Sequence, residues 1–185
     1  MKKSGKFWFV MLCQMVLALC FSRPALAQDT GLSSYKLGTG DVIAVRVYGE
    51  DDLSRDKLRL TDAGTITYPV LGELKVAGMT VGELQKFITD NLKGRYLVNP
   101  RVSVTVEEYR MFFVNGQVAR PGGYPYQPGL TVRKAVLLAG GLTERASESK
   151  IYLIREGDNK QKQNKVDMTI EVKPGDVVTV EESFF

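Results

Sequence analysis

Histidine is missing altogether from these 185 residues, and the two cysteines, Cys13 and Cys20, both lie close to the N-terminus. From residue 28 onward there is neither. That excludes a Ser-His-Asp or Cys-His nucleophilic system, a thiolate zinc site and a His-ligated metal site, and the body has no disulfide to lean on. Surplus charge is lacking as well. The formal net charge of +4 comes wholly from Lys2, Lys3, Lys6 and Arg23, in a stretch without any acid, so past residue 27 bases and acids are equal in number. A neutral body does not carry the overall electrostatic footprint of a nucleic-acid binder, although a local basic patch is compatible with it. Long apolar runs are scarce too. Phe7 to Phe21 is uncharged and mostly apolar, but its 15 residues fall short of the ~20 that a spanning helix needs.

What the N-terminus does have is the pattern of an export signal. A basic Met1–Lys6 segment precedes the apolar run, and Pro24-Ala25-Leu26-Ala27 places small residues at the −3 and −1 positions of a cleavage site before Gln28. The expectation is a signal peptide over 1–27 and an exported protein. Two alternatives stand beside it: an uncleaved inner-membrane anchor, and lipidation at Cys20, against which Leu19 counts because the residue before a lipidated cysteine is normally small.

Beyond Gln28 the patterning is mostly β, with two helices. Asp41–Tyr48 alternates Ile43, Val45 and Val47 against Ala44, Arg46 and Tyr48, the pattern of a strand with one buried side. Thr65–Tyr68 reads as a short strand after the Asp62-Ala63-Gly64 turn and before Pro69. Arg101–Glu107 alternates three valines with polar residues. A helix is predicted from Thr80, where Glu83 three residues on completes a capping box. Val81, Leu84, Phe87, Ile88 and Leu92 form its apolar stripe, and Lys93-Gly94 ends it. A second helix of about two turns runs from Thr131 to Gly140-Gly141 and is too short to stand without packing. Gly157–Asn164 reads as an exposed hairpin loop.

The two halves echo each other. Tyr68-Pro69 with Gly78-Met79-Thr80-Val81 matches Tyr124-Pro125 with Gly129-Leu130-Thr131-Val132, and Gly40-Asp41-Val42-Ile43 matches Gly175-Asp176-Val177-Val178. The fold class expected is therefore α+β, mostly β: two small β-grasp-like domains, each with one helix packed on a twisted sheet. The boundaries are set at 28–109 and 110–185.

These same motifs resemble the bacterial polysaccharide export family. Tyr35–Ile43, Gly64–Leu74, Val76–Thr80 and Asn99–Val104 resemble its polysaccharide export domain. Val114–Val118, Pro121–Tyr124, Thr131–Thr143, Ile151–Arg155 and Val172–Val178 resemble a soluble-ligand-binding β-grasp (SLBB) domain. The resemblance implies a non-enzymatic component of capsule or exopolysaccharide export, located in the periplasm or associated with the outer membrane. It implies a homo-oligomeric ring handling polysaccharide, with an inner-membrane polysaccharide co-polymerase on one side and a separate outer-membrane β-barrel or other export subunit on the other. Larger members of the family carry further repeats and a C-terminal membrane helix. This chain resembles the short members, because it reaches Phe185 directly after its last strand pattern.

Within that frame Tyr124, Tyr126, Arg120 and Arg145 are the polymer-contact candidates, since tyrosines stack on sugar rings and arginines beside glycine turns can face a glycan. Packing and solvation are the stronger expectations for all four. Asp41 and Asp176 are expected to cap turns. Adjacent carboxylates such as Glu107-Glu108 point to opposite strand faces and make a poor acid/base couple, so no catalytic residue, metal or cofactor is assigned. The alternative function is a secreted or periplasmic glycan-binding β-grasp module without a conduit role.

Overall fold

The alternation at Asp41–Tyr48 folds as strand β1 (Val42–Val47) in a computed structural model that describes residues 34–158 and 163–183. The expected signal peptide, both cysteines, the middle of the 157–164 loop and Phe184-Phe185 lie outside those residues. Ile43, Val45 and Val47 enter a buried core as the period-two pattern requires. Val42 and Ala44 on the other face are buried as well, so Arg46 is the one exposed residue of the strand.

Strand β1 is the middle of an antiparallel sheet, between β2 (Arg55–Arg59) and β5 (Val102–Glu108). A separate hairpin, β3 (Thr65–Tyr68) with β4 (Gly72–Lys75), pairs Tyr68 with Gly72 around Pro69, where no ladder N–H is needed. Helix α1 (Val81–Leu92) closes this half. Leu84, Ile88 and Leu92, at successive four-residue steps, are completely buried against the sheet. Each contributes roughly 1.5–3 kcal/mol of transfer free energy. Its start is the anticipated capping box: Thr80 Oγ1 accepts from the Glu83 N–H at 3.2 Å, while the Thr80 N–H donates to Glu83 Oε2 at 2.7 Å. Thr80→Ala is therefore expected to lower stability by about 1 kcal/mol, read as a lower urea midpoint at unchanged slope.

The second half is a five-stranded sheet in the order β7-β6-β10-β8-β9. Its strands are β6 (Phe112–Gly116), β7 (Gly122–Tyr124), β8 (Ala146–Ile154), β9 (Asn164–Lys165) and β10 (Val177–Glu182). β10 runs parallel to β6 and antiparallel to β8, so the last strand in sequence is central in space. Helix α2 (Val132–Leu138) buries Val132, Ala135 and Val136 in a second core with Phe112, Val114, Ile151, Leu153, Val178 and Val180. Its cap is Thr131, whose side chain accepts from the Lys134 N–H. With α1 and α2 each packed on strands, the architecture is α+β and mostly β. Strand β8 begins at Ala146, well before the Ile151 start of its sequence motif, and β7 ends at Tyr124, so Tyr126 does not continue it.

The internal echo has a structural counterpart. Leu37 and Val172 are both buried, and each donates its N–H to the residue just before a helix cap: Leu37 to Met79 O and Val172 to Leu130 O, both at 2.9 Å. In the first half this segment precedes its helix, and in the second it follows. Among the described residues no helix is long and apolar enough to cross a membrane.

Candidate functional site

Four residues after Leu37 and four after Val172 come the two aspartates, and both are buried to within 1 % of complete. Asp41 Oδ2 accepts from the Gly38 N–H at 2.8 Å, closing the turn that leads into β1. Asp176 Oδ2 accepts from the Lys173 N–H at 2.8 Å in the same way. Capping a turn is what the sequence suggested for both. The burial adds a second demand, because a carboxylate removed from water must be paired. Asp41 is met by Arg110, whose backbone N–H reaches Oδ1 at 2.8 Å and whose Nη1 reaches Oδ2 at 3.1 Å, and by the Tyr35 hydroxyl. Asp176 is met by the Arg155 guanidinium, and the Glu156 N–H donates to its Oδ1 at 3.3 Å.

Arg110 lies where the chain passes from one core to the other. Besides Asp41 it holds Glu156, donating from Nε at 2.7 Å and pairing through Nη2 as well. Burial pulls its pKa down, but the hydrogen bond to Glu156 and the fields of Tyr35, Asp41 and Glu156 carry it above the usual arginine value. It therefore remains a cation with 18 % of its side chain exposed, tying the turn before β1 to the residues just after β8. The approach needs room. A Cβ on Gly38 would fall on the guanidinium, 2.5 Å from Cζ and 3.0 Å from Nη2, and a Cβ on Gly175 would fall on the Glu156 carboxylate.

Three tyrosines flank this network. Tyr35 and Tyr109 meet edge to face with centroids 5.0 Å apart, and Tyr109 meets Tyr126 the same way at 5.3 Å. Burial raises the pKa of all three, aided at Tyr35 by its hydrogen bond to Asp41, at Tyr109 by the Asp41 charge and at Tyr126 by Glu171. Around them opens a cleft of about 780 Å³ whose walls come from both halves, Tyr35 and Lys36 on one side and Tyr126, Arg155 and Lys173 on the other.

The raised phenols make stability pH-dependent in one direction. Below the ordinary tyrosine pKa of 10.0 the Tyr35 phenol is neutral both folded and unfolded. Above it the unfolded chain loses that proton first, so stability falls as pH rises. Tyr35→Phe is expected to flatten that alkaline fall in a series of urea midpoints between about pH 8 and pH 11, leaving the part due to Tyr109 and Tyr126.

Of the four residues proposed from sequence, Tyr126 alone lines the cleft. Tyr124 packs its ring 6.0 Å from Phe112 and donates its hydroxyl to the Arg120 carbonyl, so it belongs to the second core. Arg120 is exposed beside Gly140, after α2. Arg145 pairs with Glu182, at the opposite end of β10 from Asp176. The residues that sequence reasoning passed over are Tyr35, Tyr109, Arg110, Arg155 and Glu156. Asp41 and Arg110 are 69 positions apart, and no local spacing signals such a pair. The one usable signal was the repeated Gly-Asp, which marked where two buried carboxylates would need cations. Among the described residues no group of acidic side chains is arranged to hold a metal ion.

Comparison with known proteins gives the site a context. Residues 30–107 match the family model described as polysaccharide biosynthesis/export protein, and residues 111–164 match that of the SLBB domain. The chain is 33% identical over 143 residues to the exopolysaccharide production protein ExoF of Rhizobium meliloti (strain 1021), an alignment covering 66% of this chain and 34% of ExoF. It is 29% identical over 160 residues to the EPS I polysaccharide export outer membrane protein EpsA of Ralstonia nicotianae, covering 72% of this chain and 41% of EpsA. Over 144 residues it is 28% identical to the polysialic acid transport protein KpsD of Escherichia coli, covering 76% of this chain and 26% of KpsD. The chain thus spans well under half the length of these relatives.

Proposed function

The chain belongs to the polysaccharide export family, and from that membership we propose that it is a non-enzymatic component of exopolysaccharide export, working in the periplasm or against the outer membrane. The observation that carries this reading is the tandem order of the two matched domains, export domain over 30–107 and then SLBB domain over 111–164. In this reading copies of the chain assemble through a head-to-tail interface whose rotation closes into a ring, and the ring passes a hydrated polymer. An inner-membrane co-polymerase would deliver the polymer, and a separate β-barrel or other export subunit would complete the outer-membrane passage. Polymer contact by Tyr124, Tyr126, Arg120 and Arg145 is part of the proposal, with Tyr126 favoured by its place in the cleft.

Deletion of the gene is the test. Surface polymer is expected to disappear while repeat units are still made, and re-expression of the chain restores it. Normal secretion in the deleted strain would overturn the export reading. It would favour the second reading, a glycan-binding module without a conduit role, which draws on the same cleft. Native mass spectrometry tests the ring separately, where a strict monomer at high concentration counts against it.

A further inference from the structure

We propose that one end of the first half is a docking surface for a second copy of this chain. The two copies meet tip to tip about a two-fold axis. This role goes beyond the export reading and does not depend on it. Strand β5 runs from Val102 at this end to Glu108, next to Tyr109-Arg110, so the surface lies a full strand away from the cleft. Apolar side chains are laid open there. Val98 is 91% exposed, Tyr48 68% and Val70 51%, with Tyr96 beside them. Hydrogen bonds hold these segments together. Tyr96 donates its hydroxyl to the Val70 carbonyl at 3.1 Å, and the Tyr48 N–H donates to the Arg101 carbonyl at 3.0 Å. Tyr68, on the same hairpin as Val70, reaches the Leu53 carbonyl at 2.7 Å. Exposed apolar area gathered in this way marks an interaction surface, whereas scattered single residues do not.

Backbone strain at the centre of the patch points the same way. Val70 has φ at +57°, and the Leu71 N–H bonds back to the Pro69 carbonyl at 2.7 Å. That is the rare form of the three-residue turn, and it is costly for a β-branched side chain. The turn holds Val70 out in water, so burial within the chain does not offset the strain. Residues held in this way gather at functional sites.

Charge identifies the occupant. Glu50, Asp51 and Asp52 lie on the side of β2, which follows them, while Lys93, Arg95 and Arg101 lie on the side of β5. The sheet order β2-β1-β5 keeps the two groups apart, with Tyr48, at the end of central β1, between them. Arg95 stands over the Tyr96 ring, with Cζ 5.5 Å from its centroid, so the cations adjoin the apolar centre. Among the described residues none of these six charges is in an ion pair. Arg55, on the acidic side, is turned onto the Asp52 and Ser54 carbonyls. Consider a two-fold axis lying in the contact plane, perpendicular to the line from acids to cations. It brings each copy's cations opposite the other's acids, and the apolar residues meet in the middle. An anionic membrane would be drawn to one side of this surface and repelled by the other. A second copy is complementary on both.

Sedimentation velocity of the full chain over a concentration series is the test. The parent is expected to form a species of twice the mass that Arg95→Glu forms under the same conditions, whether that unit is one chain or a ring. Arg95→Glu and Asp51→Lys should each weaken the doubling by more than about tenfold, because each reverses a charge at both contacts. An equimolar mixture of the two variants should recover it in part. One contact is then wholly native, and the other has both charges exchanged. Val98→Ser should weaken the doubling several-fold, and far-UV circular dichroism of all three variants should match the parent. Equal masses for the parent and Arg95→Glu at every concentration, or no recovery in the mixture, would overturn the proposal. So would binding of the parent to phosphatidylglycerol vesicles, lost in Arg95→Glu, without doubling in solution; that result would assign the surface to a membrane. Either failure leaves the export reading standing, because surface polymer in the deleted strain is a separate measurement.

Discussion

Replacing Gly116 with alanine is expected to cost more than about 4 kcal/mol, an exceptional loss for one methyl group. Gly116 ends β6 with φ at +82°, in the left-handed region where a side chain collides with its own backbone. That strain alone would be worth about 1–2 kcal/mol. The larger part comes from across the sheet. A Cβ at Gly116 would lie well inside contact distance of the Val180 carbonyl oxygen and 3.0 Å from the Val180 carbonyl carbon. Both are backbone atoms of the central strand, and they cannot step aside without unpairing β10 from β6. The same oxygen accepts the Gln117 N–H at 2.8 Å, so displacing it breaks a bond as well. Equilibrium urea unfolding of Gly116→Ala beside the parent measures this. A loss below about 1 kcal/mol would mean the strand crossing is looser than described.

Asp41→Ala comes next, at about 3 kcal/mol, the lower end of what breaking a buried ion pair costs. The side chain is fully buried and is the common acceptor for Tyr35, the Gly38 N–H and two donors of Arg110. Its removal strands the Gly38 and Arg110 amides and leaves Arg110 with Glu156 as its remaining charged partner. Asp176→Ala should cost less, because Arg155 is 38 % exposed where Arg110 is 18 % and recovers water more readily. The double variant Asp41→Ala with Arg110→Met should recover part of the loss, since no uncompensated cation remains. If the double variant is as unstable as the two single losses added together, the ion pair is not the source of the effect.

How far the sequence reached can be seen residue by residue. The Thr80–Glu83 box and the Leu84, Ile88, Leu92 stripe are local in the chain, within one or two helical turns, and they gave the helix almost to its ends. The alternation at Ile43, Val45 and Val47 gave β1 for the same reason. Val42 and Ala44 showed the limit, since whether the second face of a strand meets water depends on what the rest of the chain lays against it. At the candidate site Tyr126 was legible as an aromatic able to stack on a sugar ring. Its partner Tyr109 was not, because nothing along the chain relates them to Tyr35 or to one another as a ladder.

What the sequence determined by itself was whatever depends on neighbours a few positions apart: which segments are strands and helices, where the helices are capped, that the body has no histidine or thiol chemistry, and the motifs that announce the family. Tertiary structure decided which distant residues share a carboxylate and where the cleft opens. It also made β10, last in sequence, the strand between β6 and β8. The physical reason is that backbone hydrogen bonding and side-chain periodicity act over a turn or a strand, whereas the pairing of a buried charge is set by whichever chain arrives beside it. For Asp41 that was Arg110, 69 residues away.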